Sequence, residues 1–144
     1  MKEKDLALKL SVYLAGYAEE RRYREFVEKV YGDKLILLNP MTITHLEVID
    51  EIGENEYATY IVRRDKKMIL QSDILVVYID QYGAYPLWGT TMEIMFAYDH
   101  GIPVYVIDVT PEMKHANNAW VKFHTKKSFN SIENCFNFIL NKKD

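Results

Sequence analysis

A chain of 144 residues is long enough for one domain with a buried core, and 49% hydrophobic with 27% charged residues is the balance of an ordinary globular protein. Its net charge of −3 argues against a nucleic-acid polymer as partner, and its single cysteine, Cys135, excludes an intramolecular disulfide. No apolar run approaches the length of a membrane span and the opening MKEKDLALKL lacks a secretory pattern, so the expected protein has no membrane partner and a cytoplasmic location.

In chain order, residues 8–15 read as a first strand closed by Gly16. Residues 19–31 read as a charged helix with Tyr23, Phe26, Val27 and Val30 on its apolar side. Residues 34–38 form a second short strand, stopped by Asn39-Pro40. Residues 41–54 carry no clear period and read as a loop with a helical turn, interrupted at Gly53. A helix over 56–71 turns Ile61, Met68 and Ile69 inward. The β-branched run Ile74–Ile79, ending at Asp80, is a buried strand. After a loop, a helix start at Gly-Thr-Thr (residues 89–91) leads to Met92, Met95, Phe96 and Ala97 at helical spacing, and Gly101-Ile102-Pro103 stops the helix. Residues 104–107 form a second buried run, ending at Asp108. Residues 121–124 read as a short edge strand, and a last helix over 131–140 aligns Ile132, Cys135, Phe136, Ile139 and Leu140 on one face. Alternating β and α segments without repeats or linkers predict a single α/β domain over 1–144. The expected architecture is a doubly wound parallel sheet of about five strands in flavodoxin-like order.

In such folds, chemistry gathers where strands end and helices begin. Glu93 is placed there. Thr90-x-x-Glu93 matches a capping box, in which both side chains satisfy free backbone donors. The same location allows another reading, an ionised carboxylate in the first helical turn, held by the helix dipole and able to attack a sugar carbon. Asp65 lies three or four residues from Ile61, Met68 and Ile69, so a charge falls on an inward face. It needs either an ion-pair partner, such as Arg63 or Arg64, or a chemical task. Tyr13 and Tyr17 flank Ala15-Gly16 at the first strand's exit, where glycine lets the backbone approach a ligand. Arg21 and Arg22 either meet a phosphate or form a solvated face. Asp73 and Asp80 bracket the third strand and either bind a ribose hydroxyl or cap a turn. His45, His100, His115 and His124 have no metal-ligand spacing, and neither a Gly-rich phosphate loop nor a nucleophile elbow occurs.

Three segments together resemble the nucleoside 2-deoxyribosyltransferase family and its relatives that hydrolyse nucleoside monophosphates. They are SVYLAGY, RRDKKMILQSDILVVYID and GTTMEIMFAYDHGIPVYVI, within residues 9–108. The resemblance implies cleavage or transfer at the N-glycosidic bond of a 2′-deoxynucleoside or its 5′-monophosphate. Glu93 corresponds to the nucleophile, Asp65 to the acid that handles the leaving base, and Tyr13 to the residue that orients the nucleophile. Gly16, Tyr17, Asp73, Asp80, Gly89 and Thr90 are the expected substrate-binding positions. No metal or other cofactor is implied, and the expected partners are a small nucleoside or nucleotide and further copies of the chain. Tyr85-Pro86-Leu87-Trp88 departs from the family's small or acidic residue before the glutamate, and is apolar enough to belong to a subunit contact. The rival reading from another class is a non-catalytic domain of the same fold that binds a nucleotide or nucleotide-derived signal.

Overall fold

The computed structural model describes residues 9–17, 21–80 and 88–141. Five strands, β1 (Ser11–Gly16), β2 (Ile36–Leu38), β3 (Ile74–Ile79), β4 (Val104–Asp108) and β5 (Lys127–Phe129), pair in parallel in the order β2-β1-β3-β4-β5. The helices between and after them are α1 (Arg21–Tyr31), α2 (His45–Ile52), α3 (Glu54–Leu70), α4 (Trp88–Asp99), α5 (Ala119–His124) and α6 (Ile132–Asn141). This is the expected single α/β domain with the flavodoxin-like strand order.

Side chains alternate across the strands, and this alternation builds two cores. Val12 and Leu14 of β1 face α1 and α6, packing with Tyr23, Val27, Tyr31, Cys135 and Phe136. Tyr13 and Ala15 face the other way, with Leu75 and Val77 of β3, Ile69 of α3 and Ile94 and Ala97 of α4. The parity of Tyr13 therefore decides that it meets α3 and α4. Cys135 is fully buried, as its place on the apolar face of α6 predicts, and burial pushes its thiol up to about 12.

Several boundaries differ from the sequence expectation. Among the described residues β1 begins at Ser11, and Leu8 and residues 18–20 lie outside them. The inward stripe of α1 is Tyr23, Arg24, Val27 and Tyr31, whereas Phe26 and Val30 are exposed. The ambiguous stretch after β2 is a 3-10 turn, Pro40–Thr42, followed by the full helix α2. Thr44 caps α2 in a capping box with Glu47, and Gly53, at φ 89°, separates it from α3. Residues 121–124 belong to α5, not to an edge strand. Asn118 accepts from the N–H groups of Trp120 and Val121 and starts the helix, while the edge strand is β5. The buried positions of α4 are Thr90, Ile94 and Ala97, while Met92 and Met95 are exposed.

Candidate active site

The site begins at the exit of β1. Gly16 has φ +141°, and a Cβ there would lie 2.8 Å from the carbonyl oxygen of Tyr78 on β3. The close approach that requires glycine is thus to the neighbouring strand. Beyond Gly16 the chain leaves the sheet, and α1 takes up the carbonyls of the strand's last residues. The Tyr23 hydroxyl donates to Ala15 O at 2.6 Å. The Arg24 guanidinium donates to Leu14 O at 3.3 Å, Gly16 O at 3.3 Å and Tyr17 O at 3.1 Å. Arg24 is 2% exposed, a cation buried at the base of the site. Sequence reasoning weighed Arg21 and Arg22 and missed Arg24. The signal available was its spacing of three and seven residues from Val27 and Tyr31, on the buried stripe. Arg22 is exposed, and the side chain of Arg21 lies outside what is described.

At the carboxyl edge of the sheet, beside this exit, is a cavity of about 570 Å³. Tyr13, Gly16 and Tyr17 from β1 and its exit, Asp65 from α3, and Gly89, Thr90 and Glu93 from α4 all line it, together with Arg24. The rest of the wall is largely apolar, with Ile61, Ile69, Met92, Phe96 and Trp88 among its residues. Trp88, the last residue of the bulky apolar run noted above, is 69% exposed; residues 81–87, including Tyr85 and Leu87, lie outside the described residues.

Tyr13 donates its hydroxyl to Oε2 of Glu93. Burial first, and then the neighbouring Glu93 charge, push the Tyr13 hydroxyl above the usual phenol range, so it stays a donor at neutral pH. Glu93 itself is pushed up to about 7, chiefly by burial. The Tyr13 hydrogen bond pulls the other way, the Asp65 charge adds to the rise, and Arg24 and Arg64 oppose it. Two expectations change here. Helix α4 runs from Trp88 with no acidic residue in its first turn, so Glu93 lies at least a turn inside and does not cap the helix. Its carboxylate is also not held simply ionised by the dipole, because burial outweighs that effect and pushes the group up to about 7.

Asp65 shares a helix face with the buried Ile61 and Ile69, as their spacing predicts. It accepts from Arg64 Nε at 3.0 Å, so the ion-pair alternative weighed from the sequence is also realised. Burial raises the Asp65 carboxyl above the ordinary range, while Arg64, His45 and Arg24 lower it. Arg64 reaches on to the carbonyl of Ile43 at 3.0 Å, tying α3 to the approach of α2. His45, the first residue of α2, joins the cavity wall near Asp65, a position no spacing argument identified.

Two expected substrate positions fall elsewhere. Asp73 precedes β3 at the opposite, amino edge of the sheet and accepts from Ser11 N at 2.9 Å and Ser11 Oγ at 3.1 Å. There it joins β1 to β3 and cannot reach the cavity, because the length of β3 lies between. Asp80 follows β3 at the carboxyl edge and is buried, but it is not part of the cavity wall. The remaining histidines stand apart from the site; His100 and His124 contact the carbonyls of Phe96 and Trp120 through Nδ1. Among the described residues, no three of His, Cys, Asp and Glu form a metal-ligand cluster.

Fold and site together define a class: a doubly wound α/β domain whose carboxyl-edge cavity holds a tyrosine-bonded glutamate and a second carboxylate. No protein-family model matches the chain, and no curated protein matches its sequence. Solved structures do match in three dimensions. A 2-deoxyribosyltransferase from the psychrotolerant bacterium Bacillus psychrosaccharolyticus superposes with a TM-score of 0.70 at 22% identity, over 92% of this chain and 92% of its own. A conserved protein from Enterococcus faecalis V583 superposes with a TM-score of 0.64 at 21% identity, over 90% of this chain and 96% of its own. The fold is therefore shared with a deoxyribosyltransferase over nearly the whole of both chains. No described helix is long and apolar enough to cross a membrane.

Proposed function

We propose that the protein cleaves or transfers at the N-glycosidic bond of 2′-deoxynucleosides or their 5′-monophosphates, with Glu93 as nucleophile. The observation that carries this reading is the Tyr13–Glu93 hydrogen bond beside Asp65 on one cavity wall. The Glu93 carboxylate attacks C1′ as the C1′–N bond breaks, and the bond's electron pair leaves with the base. Asp65, kept above the usual carboxylate range by burial, hands the departing base a proton. Tyr13 holds one oxygen of Glu93, so the other is aimed at the sugar. A deoxyribosyl ester of Glu93 results. Water or an incoming base then attacks C1′ and breaks the ester, and Asp65 recovers a proton from the attacking group. The apolar wall, with Phe96 and Trp88, offers a flat base a surface to lie on.

The fold shared with a 2-deoxyribosyltransferase supports the same reading. The test is incubation with a panel of deoxynucleosides and their 5′-monophosphates, with and without a second free base. Released base, or an exchanged nucleoside, is expected from wild type and not from Glu93→Ala. A panel with no turnover, or an equally active Glu93→Ala, would overturn it. One observation favours a second reading, a nucleotide-binding domain without turnover. A carboxyl group at about 7 is partly protonated at neutral pH and can donate a hydrogen bond to a base edge. Saturable binding of an unchanged nucleotide would select that reading.

A further inference from the structure

We infer that Arg24 is a positioning residue of this site: its guanidinium clamps the end of β1 so that Tyr13 is held against Glu93, and supplies the buried positive charge beneath that pair. The inference rests on the reading of Glu93 as the reactive carboxylate. It stands first on geometry. The pairing of β1 with β2 ends at Tyr13, while its pairing with β3 runs on to Gly16, so the carbonyls of Leu14, Ala15, Gly16 and Tyr17 lie where β1 has a sheet neighbour on one side at most. The Arg24 fork receives three of them and Tyr23 the fourth. Tyr13 is one residue upstream of this clamp, on a strand already anchored to β3 through Leu75 and Val76. A shift of the exit would therefore swing the Tyr13 hydroxyl relative to α4, which comes from a separate segment.

Charge is the second observation. A guanidinium 2% exposed is a full charge held out of water, and three carbonyl dipoles are among the groups that compensate it. Arg24 lines the same cavity as Glu93 and Asp65, and its charge lowers both carboxyls. Among the described residues, the titratable and charged groups around Glu93 are Tyr13 and Tyr17 from β1 and its exit, Arg24 and Tyr23 from α1, His45 from α2, and Arg64, Asp65 and Lys66 from α3. Among these, Arg24 is the fully buried cation. Arg64 is paired with Asp65, and Lys66 is exposed, with its ammonium 5.3 Å from the centre of the Phe96 ring. Lysine could keep the charge but not the fork, because an ammonium cannot present donors in the spread geometry of a guanidinium.

The experiment separates the two roles, and its titration arm does not depend on turnover. The Glu93 carboxyl is titrated by carbon-13 NMR in wild type, Arg24→Gln and Arg24→Lys, with the signal assigned by its loss in Glu93→Gln. Arg24→Gln is expected to raise the Glu93 midpoint by about one pH unit, a tenfold loss of the ionised form near neutrality. Arg24→Lys is expected to leave the midpoint near the wild-type value while kcat falls about tenfold or more with KM little changed. A Glu93 midpoint that does not move in Arg24→Gln would overturn the electrostatic role. An Arg24→Lys variant with wild-type kcat would overturn the clamp. If Arg24→Lys failed to fold, Arg24 would belong to the fold and not to the site, which also overturns the inference. Absence of turnover in wild type would sink the enzyme reading, while the Arg24→Gln titration would still decide whether Arg24 tunes Glu93.

Discussion

At the scale of single residues, the unusual feature is a carboxyl group that the fold makes uncomfortable. Glu93 is raised from 4.5 to about 7 mainly by burial. The native state therefore binds its proton more tightly than the unfolded chain does. The stability this confers is fully present below pH 4.5 and is lost as pH rises through about 7. Replacing Glu93 by Gln removes that loss, worth on the order of 3 kcal/mol. Denaturant melts at pH 8 should show Glu93→Gln more stable than wild type, with the gap closing by about pH 4.5 to 5, while turnover is abolished. A variant less stable than wild type at pH 8 would mean that the carboxylate is well compensated in the folded state. The activity profile provides a second check. Its limb near pH 7 should follow Glu93. Tyr13→Phe removes a bond that lowers Glu93 and should move that limb upward; Asp65→Asn removes a charge that raises it and should move it downward. Limbs that stay in place in both variants would assign the titration to another group. Sugar choice belongs at this scale as well. A 2′-hydroxyl withdraws electrons from an oxocarbenium-like transition state, and the Tyr13 hydroxyl is already committed to Glu93. An unpaired buried hydroxyl costs about 1–3 kcal/mol, so 2′-deoxy substrates should be favoured by roughly ten- to a hundredfold in kcat/KM over their ribo counterparts. Equal rates for a matched pair would point to a pocket that reads the 2′-hydroxyl.

At the scale of elements, the site depends on how β1 leaves the sheet. Gly16 combines φ +141° with a backbone contact that leaves no room for a Cβ. Gly16→Ala should cost about 2 kcal/mol in urea unfolding and lower turnover beyond what the melt explains, since Tyr13 lies three residues away. A variant as stable and as active as wild type would show that the exit can relax without moving the tyrosine. Helix α2 offers the contrast. Thr44 accepts from Glu47 N at 3.2 Å and Glu47 returns the contact, so Thr44→Ala should cost about 1 kcal/mol. The Tyr13–Glu93 pair comes from other elements, so the Glu93 midpoint should stay where it is. The elements also show why the sequence reading succeeded unevenly. Continuous β-branched runs identified β3 and β4, because central parallel strands are buried on both faces. Strand β5 has three residues, Lys127–Phe129, too short to show a period, and the neighbouring Val121 and Phe123 drew the expected strand onto α5. Helix α4 misled in another way. Trp88, Met92 and Met95 line the cavity, so its apolar residues are divided between core and site and show no single stripe.

At the scale of the whole molecule, Trp88 at 69%, Met92 at 68% and Met95 at 49% exposure put an apolar surface around the cavity mouth. Exposed apolar groups clustered in this way usually mark a contact. The protein is expected to be at least a dimer, with Trp88 at or near the interface; the adjoining residues 82–87 lie outside the described structure. Sedimentation velocity at micromolar concentration checks this, and Trp88→Ala should shift the distribution toward monomer. A clean wild-type monomer would assign the exposed surface to ligand binding alone.

The sequence by itself determined the α/β class, the parallel sheet, the inward face that carries Asp65 and the burial of Cys135. Each follows from local periodicity or from a strand's hydrophobic run, which are properties of contiguous residues. Glu93 and Tyr13 stood out by their places at a helix start and a strand exit, and the resemblance in the GTTMEIM and SVYLAGY segments gave them their expected roles. Only the tertiary structure decided that Tyr13 bonds Glu93 across eighty positions of chain, and that Asp73 falls at the wrong edge of the sheet. It also decided that Arg24 joins the cavity wall and that burial pushes Glu93 up to about 7. The physical reason is the same in each case. Desolvation and charge coupling depend on which segments pack together, and a carboxylate's ionisation is set by neighbours that the order of residues does not reveal.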